Sequence, residues 1–397
     1  MKRIEELITR ETPKLLNCVH CGLCLEQCPT YRLTGDESNS PRGRLAIWRA
    51  INEDRLAVDE HTDFYTAECV GCLACETVCP AGVPYGELLY ETRHRRVAAG
   101  ARVRPAIRMA GWLVQRPRLM SALLTPLRAL RRIGLRPHRF IFPGAPAVLE
   151  STAAYARRLM AAHSPDGPPV ALFTGCLMES AFREINHATV RVLVANNCRV
   201  TVPEGQTCCG AVLEHEGLPG KAGLDARNRA AFADGPCVVT NAAGCGLALG
   251  HAIDTPARDL TSFLNELDLV PGSPLAVEHL YFDIPCHLYH GQGVRTPPEK
   301  IFSAIGNAWS LAPNADRCCG SGGAYNVTHP ENAGAMLREK SAFLDDDSHD
   351  RCMLVTANHV CMMQWQTAVA KRPRCVGVRH IVQVLDESYQ RAGVYTS

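Results

Sequence analysis

The sequence predicts an all-α N-terminal domain followed by two tandem α/β modules, and three observations carry the prediction. Eight of the twenty cysteines fall in two runs of identical spacing, separated by a stretch with helical apolar periodicity. A second cysteine pattern, built on Cys-Cys-Gly, occurs twice in the C-terminal half at an offset of 110 residues. Around each copy, short apolar strand candidates alternate with helix candidates.

The first run holds Cys18, Cys21, Cys24 and Cys28 before Pro29, and the second holds Cys69, Cys72, Cys75 and Cys79 before Pro80. Both read C-x2-C-x2-C-x3-C-P, the spacing in which three thiolates hold one 4Fe–4S cluster and the fourth ligates its neighbour. The expected sets are Cys18, Cys21, Cys24 and Cys79 for the first cluster, and Cys28, Cys69, Cys72 and Cys75 for the second. Soft thiolates suit thiophilic iron, and each Pro keeps the chain from continuing helically into the cluster. C-x2-C pairs also make zinc sites, but two complete runs ending in Pro favour iron and sulfur.

Forty residues separate Cys28 from Cys69, more than a compact ferredoxin hairpin needs. Ser40-Pro41 is a helix start, Ser capping and Pro in the first turn, and RGRLAIWRAINEDRLAV continues with helical apolar spacing. Residues 1–92 therefore read as an α-helical ferredoxin domain. Arg42 and Arg44 stand either near an anionic cluster, tuning its potential, or at an ordinary solvated helix start.

Between Arg93 and Arg139 the chain carries thirteen arginines among short apolar groups such as MAGWLV. Residues 93–168 read as a basic helical connector. It packs its apolar side on the next domain, docks an acidic partner, or lies on an anionic membrane surface. FPGAPAVLE (142–150) and HSPDGPP (163–169) look like boundary loops.

In residues 169–272, Cys176 is followed by Cys208-Cys209-Gly210 and then by Cys245 after the strand candidate PCVVT. In residues 273–397, Cys286, Cys318-Cys319-Gly320 and Cys361 repeat the order. Further strand candidates are PVALFTG, CRVTVP, YFDI, AWSLAP and CMLVT. The cysteines are thus expected just after strands, where open α/β sheets place ligands, and Gly210, Gly320, Gly322 and Gly323 are expected to let backbone approach a bulky ligand. A disulfide between adjacent cysteines is strained, and ordinary buried thiols do not explain a matched spacing. Ligation of a further iron–sulfur centre, or of zinc, is the favoured use of both sets. Cys198, Cys237, Cys352 and Cys375 lie in or beside strands and read as core. His20, His215, His287, His290 and His359 lie near cysteine motifs, as surface residues or as tuning groups.

The 397 residues, 46% hydrophobic with a net charge of +2, allow two or three domains and supply no field for nucleic acid. The start, MKRIEELITRE, lacks the apolar stretch of a signal peptide, and no run of apolar residues suffices for a transmembrane helix. A cytoplasmic location follows, with few structural disulfides, so metal is the expected use of the cysteines.

With the paired runs, SPRGR (40–44), CCGAVLEH (208–215), DIPCHLYHGQG (283–293) and CCGSGGAYNVTHP (318–330) assembled, the chain resembles the iron–sulfur subunits of glycolate oxidase. These sit within the wider family of cysteine-rich (CCG) domain proteins, with heterodisulfide reductase, anaerobic glycerol-3-phosphate dehydrogenase and lactate-utilisation proteins. The resemblance implies a subunit of an oxidoreductase complex that is inactive alone. It would accept electrons from FAD-binding partner subunits oxidising glycolate, or D-lactate, and pass them to a quinone or other membrane acceptor. It would lie peripherally at the inner face of the cell membrane. The resemblance also implies that FAD lies only on the partners, and no G-x-G-x-x-G follows a strand here. The fullest family pattern ends each module in C-x-x-C; here Ala242 and Asn358 take the first position. That speaks against disulfide chemistry in the rival reading, a catalytic CCG subunit of a heterodisulfide- or quinone-reducing complex, or of a lactate or glycerol-3-phosphate dehydrogenase. A third reading makes the CCG half a zinc-binding or docking platform.

Overall fold

The computed structural model describes residues 12–132, 148–233 and 235–395. Arg136, Arg139 and most of the FPGAPAVLE loop lie outside the described residues. The chain forms two compact units. The first takes the described residues up to Gly111 together with Ala211–Pro219 and Asp316–Lys340; the second takes Trp112–Gly210, Gly220–Ala315 and the chain from Ser341 onward. Among the described residues no helix is long and apolar enough to cross a membrane.

The first unit is helical. Pro29–Thr34 starts directly after Cys28 with Pro in its first turn. Pro41–Asn52 follows Ser40, whose Oγ accepts from the Gly43 N–H at 2.9 Å, so the start read from Ser40-Pro41 is the observed one. It ends before the periodic stretch does, because Asp54 turns left-handed at φ +54°. Glu60–Ala67 carries a capping box from Asp59 and Thr62, and Tyr85–Ala98 closes the bundle. Leu15, Leu45, Trp48, Tyr85, Leu88 and Leu89 form the core together with Cys69 and Cys75. Trp48 is fixed by an indole N–H bond to the Thr66 hydroxyl at 3.0 Å. The segment Asp316–Lys340 is tied in by Asn332, which donates to Glu68 at 2.6 Å, and by Glu339, which pairs with Arg32 and with Arg317.

The second unit holds two four-stranded parallel sheets. β1 (Pro169–Phe173), β2 (Arg199–Thr201), β3 (Val238–Thr240) and β4 (Ala257–Asp259) are ordered β2-β1-β3-β4. β5 (His279–Asp283), β6 (Ala308–Leu311), β7 (Cys352–Thr356) and β8 (Cys375–His380) are ordered β6-β5-β7-β8. One topology used twice is the structural form of the sequence repeat. Val170 to Phe173 are all buried, the pattern of a central parallel strand covered on both faces. The helices Arg183–Ala195 and Ile381–Arg391 join the two sheets' layers, with Arg191 forked onto Asp386 at 2.8 and 2.6 Å. In both sheets the chain runs outward from the central strand in opposite directions, so a crevice opens at the carboxyl ends of β1 and β3, and of β5 and β7.

Candidate metal centres

Two adjoining cavities in the first unit are lined by thiols. Cys18, Cys21, Cys24 and Cys79 bound one, with Cys75 at its edge. Cys28, Cys69, Cys72 and Cys75 bound the other, together with Arg44 and Tyr85. The fold thus carries Cys28 to the second run and Cys79 to the first. All twenty cysteines are free thiols.

The two runs share a backbone signature. The residues flanking the second cysteine of each run have positive φ: His20 at 56° and Gly22 at 86°, Gly71 at 70° and Leu73 at 65°. Two of these are not glycine, a strain of about 1–2 kcal/mol each. Alternation of this kind makes backbone nests that suit an anion such as a thiolate-bound cluster. Donors also reach sulfur directly: Gly71 N–H and the Tyr85 hydroxyl to Cys69 at 3.4 and 3.5 Å, and Val83 N–H to Cys79 at 3.5 Å.

The electrostatics disfavour bare thiolates. A hydrogen bond donated to Cys318 and burial push the Cys72 thiol far up, and burial with neighbouring thiols does the same at Cys75. Thiolates there need a cationic partner, which iron supplies. Among the described residues, no three cysteine, histidine or carboxylate side chains close to the spacing of a single-ion site. The thiols ring cavities instead, an arrangement suited to a multi-atom cluster.

Arg44 is 1% exposed. Its guanidinium donates to the Tyr65 carbonyl at 2.6 Å, the Thr30 hydroxyl at 3.0 Å and the Asn39 amide oxygen at 3.3 Å. Its remaining nitrogen, Nη1, is buried without a protein partner, on a side chain that lines the Cys28/Cys69/Cys72/Cys75 cavity. Burial works against its charge, but Tyr85, Cys69 and Cys28 hold it protonated. Of the two readings open for Arg44, the solvated helix start is excluded. Arg42 is the more exposed of the pair, bonded to Glu37 at 2.7 Å and to the His20 carbonyl at 2.9 Å.

In the second unit, Cys176 begins a helix after β1 and Cys245 lies on the helix Ala243–Gly250 after β3. The Cys176 and Cys208 sulfurs are 3.2 Å apart, Cys208 bonds Cys209, and Cys209 bonds Cys245. Four thiols therefore form one continuous chain at the carboxyl edge of the sheet. The second set is distributed differently: Cys286 follows β5 and Cys361 lies on the helix His359–Val369 in the second unit, whereas Cys318 and Cys319 belong to the first. There the Cys318 thiol bonds that of Cys72, a contact that motif spacing does not reveal. At the place of the missing family cysteine, the Asn358 amide donates to Cys361 sulfur at 3.3 Å, so an amide supports the thiol where a fifth ligand would stand. Iron analysis of the anaerobically prepared chain is expected to exceed about eight atoms per chain, because the Cys176–Cys245 thiols form a set of their own. A value of about eight with stoichiometric zinc would overturn that.

The glycines of the repeats serve the protein itself. A Cβ at Gly322 would lie 2.2 Å from the Val70 carbonyl, one at Gly323 2.5 Å from His215 Cβ, and one at Gly320 2.7 Å from Ala333 Cα. The expected close approach is to other chain segments, correcting the reading that a bulky ligand requires it. Cys352 and Cys375 are register partners across β7 and β8, and Cys198 is a buried core thiol.

Comparison with known proteins agrees with this geometry. Residues 14–83 match the 4Fe-4S dicluster domain model, and residues 170–250 and 280–366 match the cysteine-rich domain model. The chain is 33% identical to the probable glycolate oxidase iron–sulfur subunit of Bacillus subtilis (strain 168), covering 97% of this chain and 95% of that protein. The chain belongs to the glycolate oxidase iron–sulfur subunit family. The Escherichia coli (strain K12) member is 30% identical over 94% of each chain. A fumarate reductase (CoM/CoB) chain from Methanothermobacter marburgensis is 27% identical, over 98% of this chain and 75% of that one. A crystal structure of a hypothetical protein from Helicobacter pylori shares the fold, with a TM-score of 0.51 at 10% identity, covering 99% of this chain and 79% of that one. As a member of this family the chain is an iron–sulfur electron-transfer subunit of an oxidoreductase.

Three residues beside the cysteine runs escape motif reading. Tyr85 reaches Cys69 sulfur, and Thr30 stands 3.2 Å from Cys28 sulfur. Arg93, counted among the basic connector residues, is buried and donates to the carbonyls of Cys69 and of His215, the latter at 2.8 Å. The signal for Tyr85 is its position just past the second Cys-Pro. Nothing local marks Arg93.

Proposed function

We propose that the chain is the electron-transfer subunit of a glycolate-oxidising complex, with two 4Fe–4S clusters held by Cys18, Cys21, Cys24 and Cys79 and by Cys28, Cys69, Cys72 and Cys75. Such a cluster, when bound, accepts and donates single electrons. The chain's own residues hold it and set the charge around it through Arg44, Tyr85 and the backbone nests. The observation that carries the reading is the pair of adjoining thiol-lined cavities meeting at Cys75. FAD-binding partner subunits would oxidise glycolate to glyoxylate, with D-lactate as the alternative substrate, and a membrane quinone would take the electrons.

The tagged chain, purified from its own cell, is expected to bring flavoproteins with it and to oxidise glycolate faster than D-lactate. Stripped of those partners it should keep its cluster absorbance and lose that oxidation. Robust glycolate oxidation by the isolated chain would sink the proposal. The contiguous thiols Cys176, Cys208, Cys209 and Cys245 favour a second reading, catalysis of disulfide or quinone reduction at the CCG half. Alanine at 242 and the amide of Asn358 weigh against disulfide reduction there.

A further inference from the structure

The first unit holds a cavity of about 220 Å3 that the electron relay does not use. Cys69, His215, Gly322 and His329 lie in its wall, so it borders one of the cluster-binding cysteines. Its charge is lopsided. Arg93, Arg96, Arg102 and Arg104 line it against one carboxylate, Glu216. Arg96 is paired with Asp63. Arg93 and Arg104, by contrast, spend donors on carbonyls, Arg104 on Val327 and Thr328 at 3.2 and 3.0 Å, and a carbonyl orients a guanidinium without neutralising it. Glu216 is engaged by the Ala324 N–H at 2.9 Å. Polar groups complete the wall: His329 stands between the Thr328 hydroxyl at 2.9 Å and Glu68 at 3.3 Å, stacked on Tyr325. Burial, with Arg93 and Arg104 nearby, pushes the His329 imidazole down to about 4, so it adds hydrogen-bonding capacity and no charge at neutral pH.

We propose that this cavity is a binding site for a small organic carboxylate, seated against Arg102 and Arg104 beside Cys69. The volume is sufficient for a small organic acid. A planar two-oxygen anion matches the guanidinium fork. The wall exists because Gly322 packs on Val70 and Gly323 on His215; a side chain at either glycine would push the segments apart.

The inference rests on the proposed function only for its choice of probes. Isothermal titration of the anaerobic, cluster-loaded full chain with glycolate, glyoxylate and inorganic phosphate tests it. Saturable binding of a carboxylate is expected, weakened at least about tenfold by Arg104→Gln and by Arg102→Gln, with iron content and visible absorbance unchanged. Arg102 is exposed, so its replacement reads the site even where Arg104→Gln disturbs the 327–328 turn. No saturable carboxylate binding, binding of phosphate alone, or affinity unchanged from the parent chain in both variants would overturn it. A chain that recruits no flavoprotein leaves this isotherm untouched, so the two readings fail separately.

Discussion

Replacing Cys28 with alanine is expected to remove the cluster of the second cysteine run and to spare that of its own. Cys28 is 6% exposed and lines the cavity of Cys69, Cys72 and Cys75, with its sulfur 3.2 Å from the Thr30 hydroxyl. Loss of about four iron atoms per chain should follow, with the signal of that cluster missing from the paramagnetic resonance spectrum of the reduced protein. Cys79→Ala should remove the other signal. Because cluster binding is folding free energy, each variant should also unfold at lower denaturant concentration. If Cys28→Ala instead loses the signal that Cys18→Ala loses, the crossed assignment is wrong.

Arg44→Met is expected to lower the midpoint potential of that second cluster and to cost about 2–3 kcal/mol of stability, by leaving Thr30, Asn39 and the Tyr65 carbonyl without their donor. The sign follows from charge. Reduction adds an electron to an already anionic cluster, and a buried cation favours the reduced form; without it the oxidised form gains. A tenfold change in the oxidised-to-reduced ratio corresponds to about 59 mV for a one-electron couple, and at least that is expected. Arg44→Lys keeps the charge and loses the fork, so its potential should fall less than that of Arg44→Met while its stability still drops. A redox titration followed by paramagnetic resonance separates the two effects. An unchanged midpoint in an intact Arg44→Met protein would show that the guanidinium is structural only.

The cysteine runs are legible in the sequence because ligand spacing is local: a loop that wraps a cluster needs its thiols a few residues apart whatever surrounds it. The Ser40-Pro41 start and the central strands β1, β3, β5 and β7 are legible for the same reason, each carrying its signal within a few residues. The edge strand β4, Ala257-Arg258-Asp259, has no apolar run to reveal it, and β8 is interrupted by Gly377, so hydrogen bonding to a neighbour defines both. The bond between Cys72 and Cys318, the burial of Arg93 and the packing of Gly322 on Val70 are set by residues far apart in the chain. Each residue alone is compatible with several environments, and only the tertiary structure selects one.

The first unit is written in three separate pieces of chain, which gives its biosynthesis a clock. A ribosome delivers the cysteines from Cys18 to Cys79 early, while Gly322, Tyr325 and Asn332 emerge only after most of the chain has been made. Until then Val70, Cys72 and Glu68 lack the neighbours that cover them in the finished unit. The nascent protein therefore leaves Cys72 and its neighbours uncovered until the third piece is made, and a cluster assembled before Lys340 leaves the exit tunnel would sit in a half-walled pocket. Arrival of the third piece, more than the appearance of the ligands themselves, completes the wall.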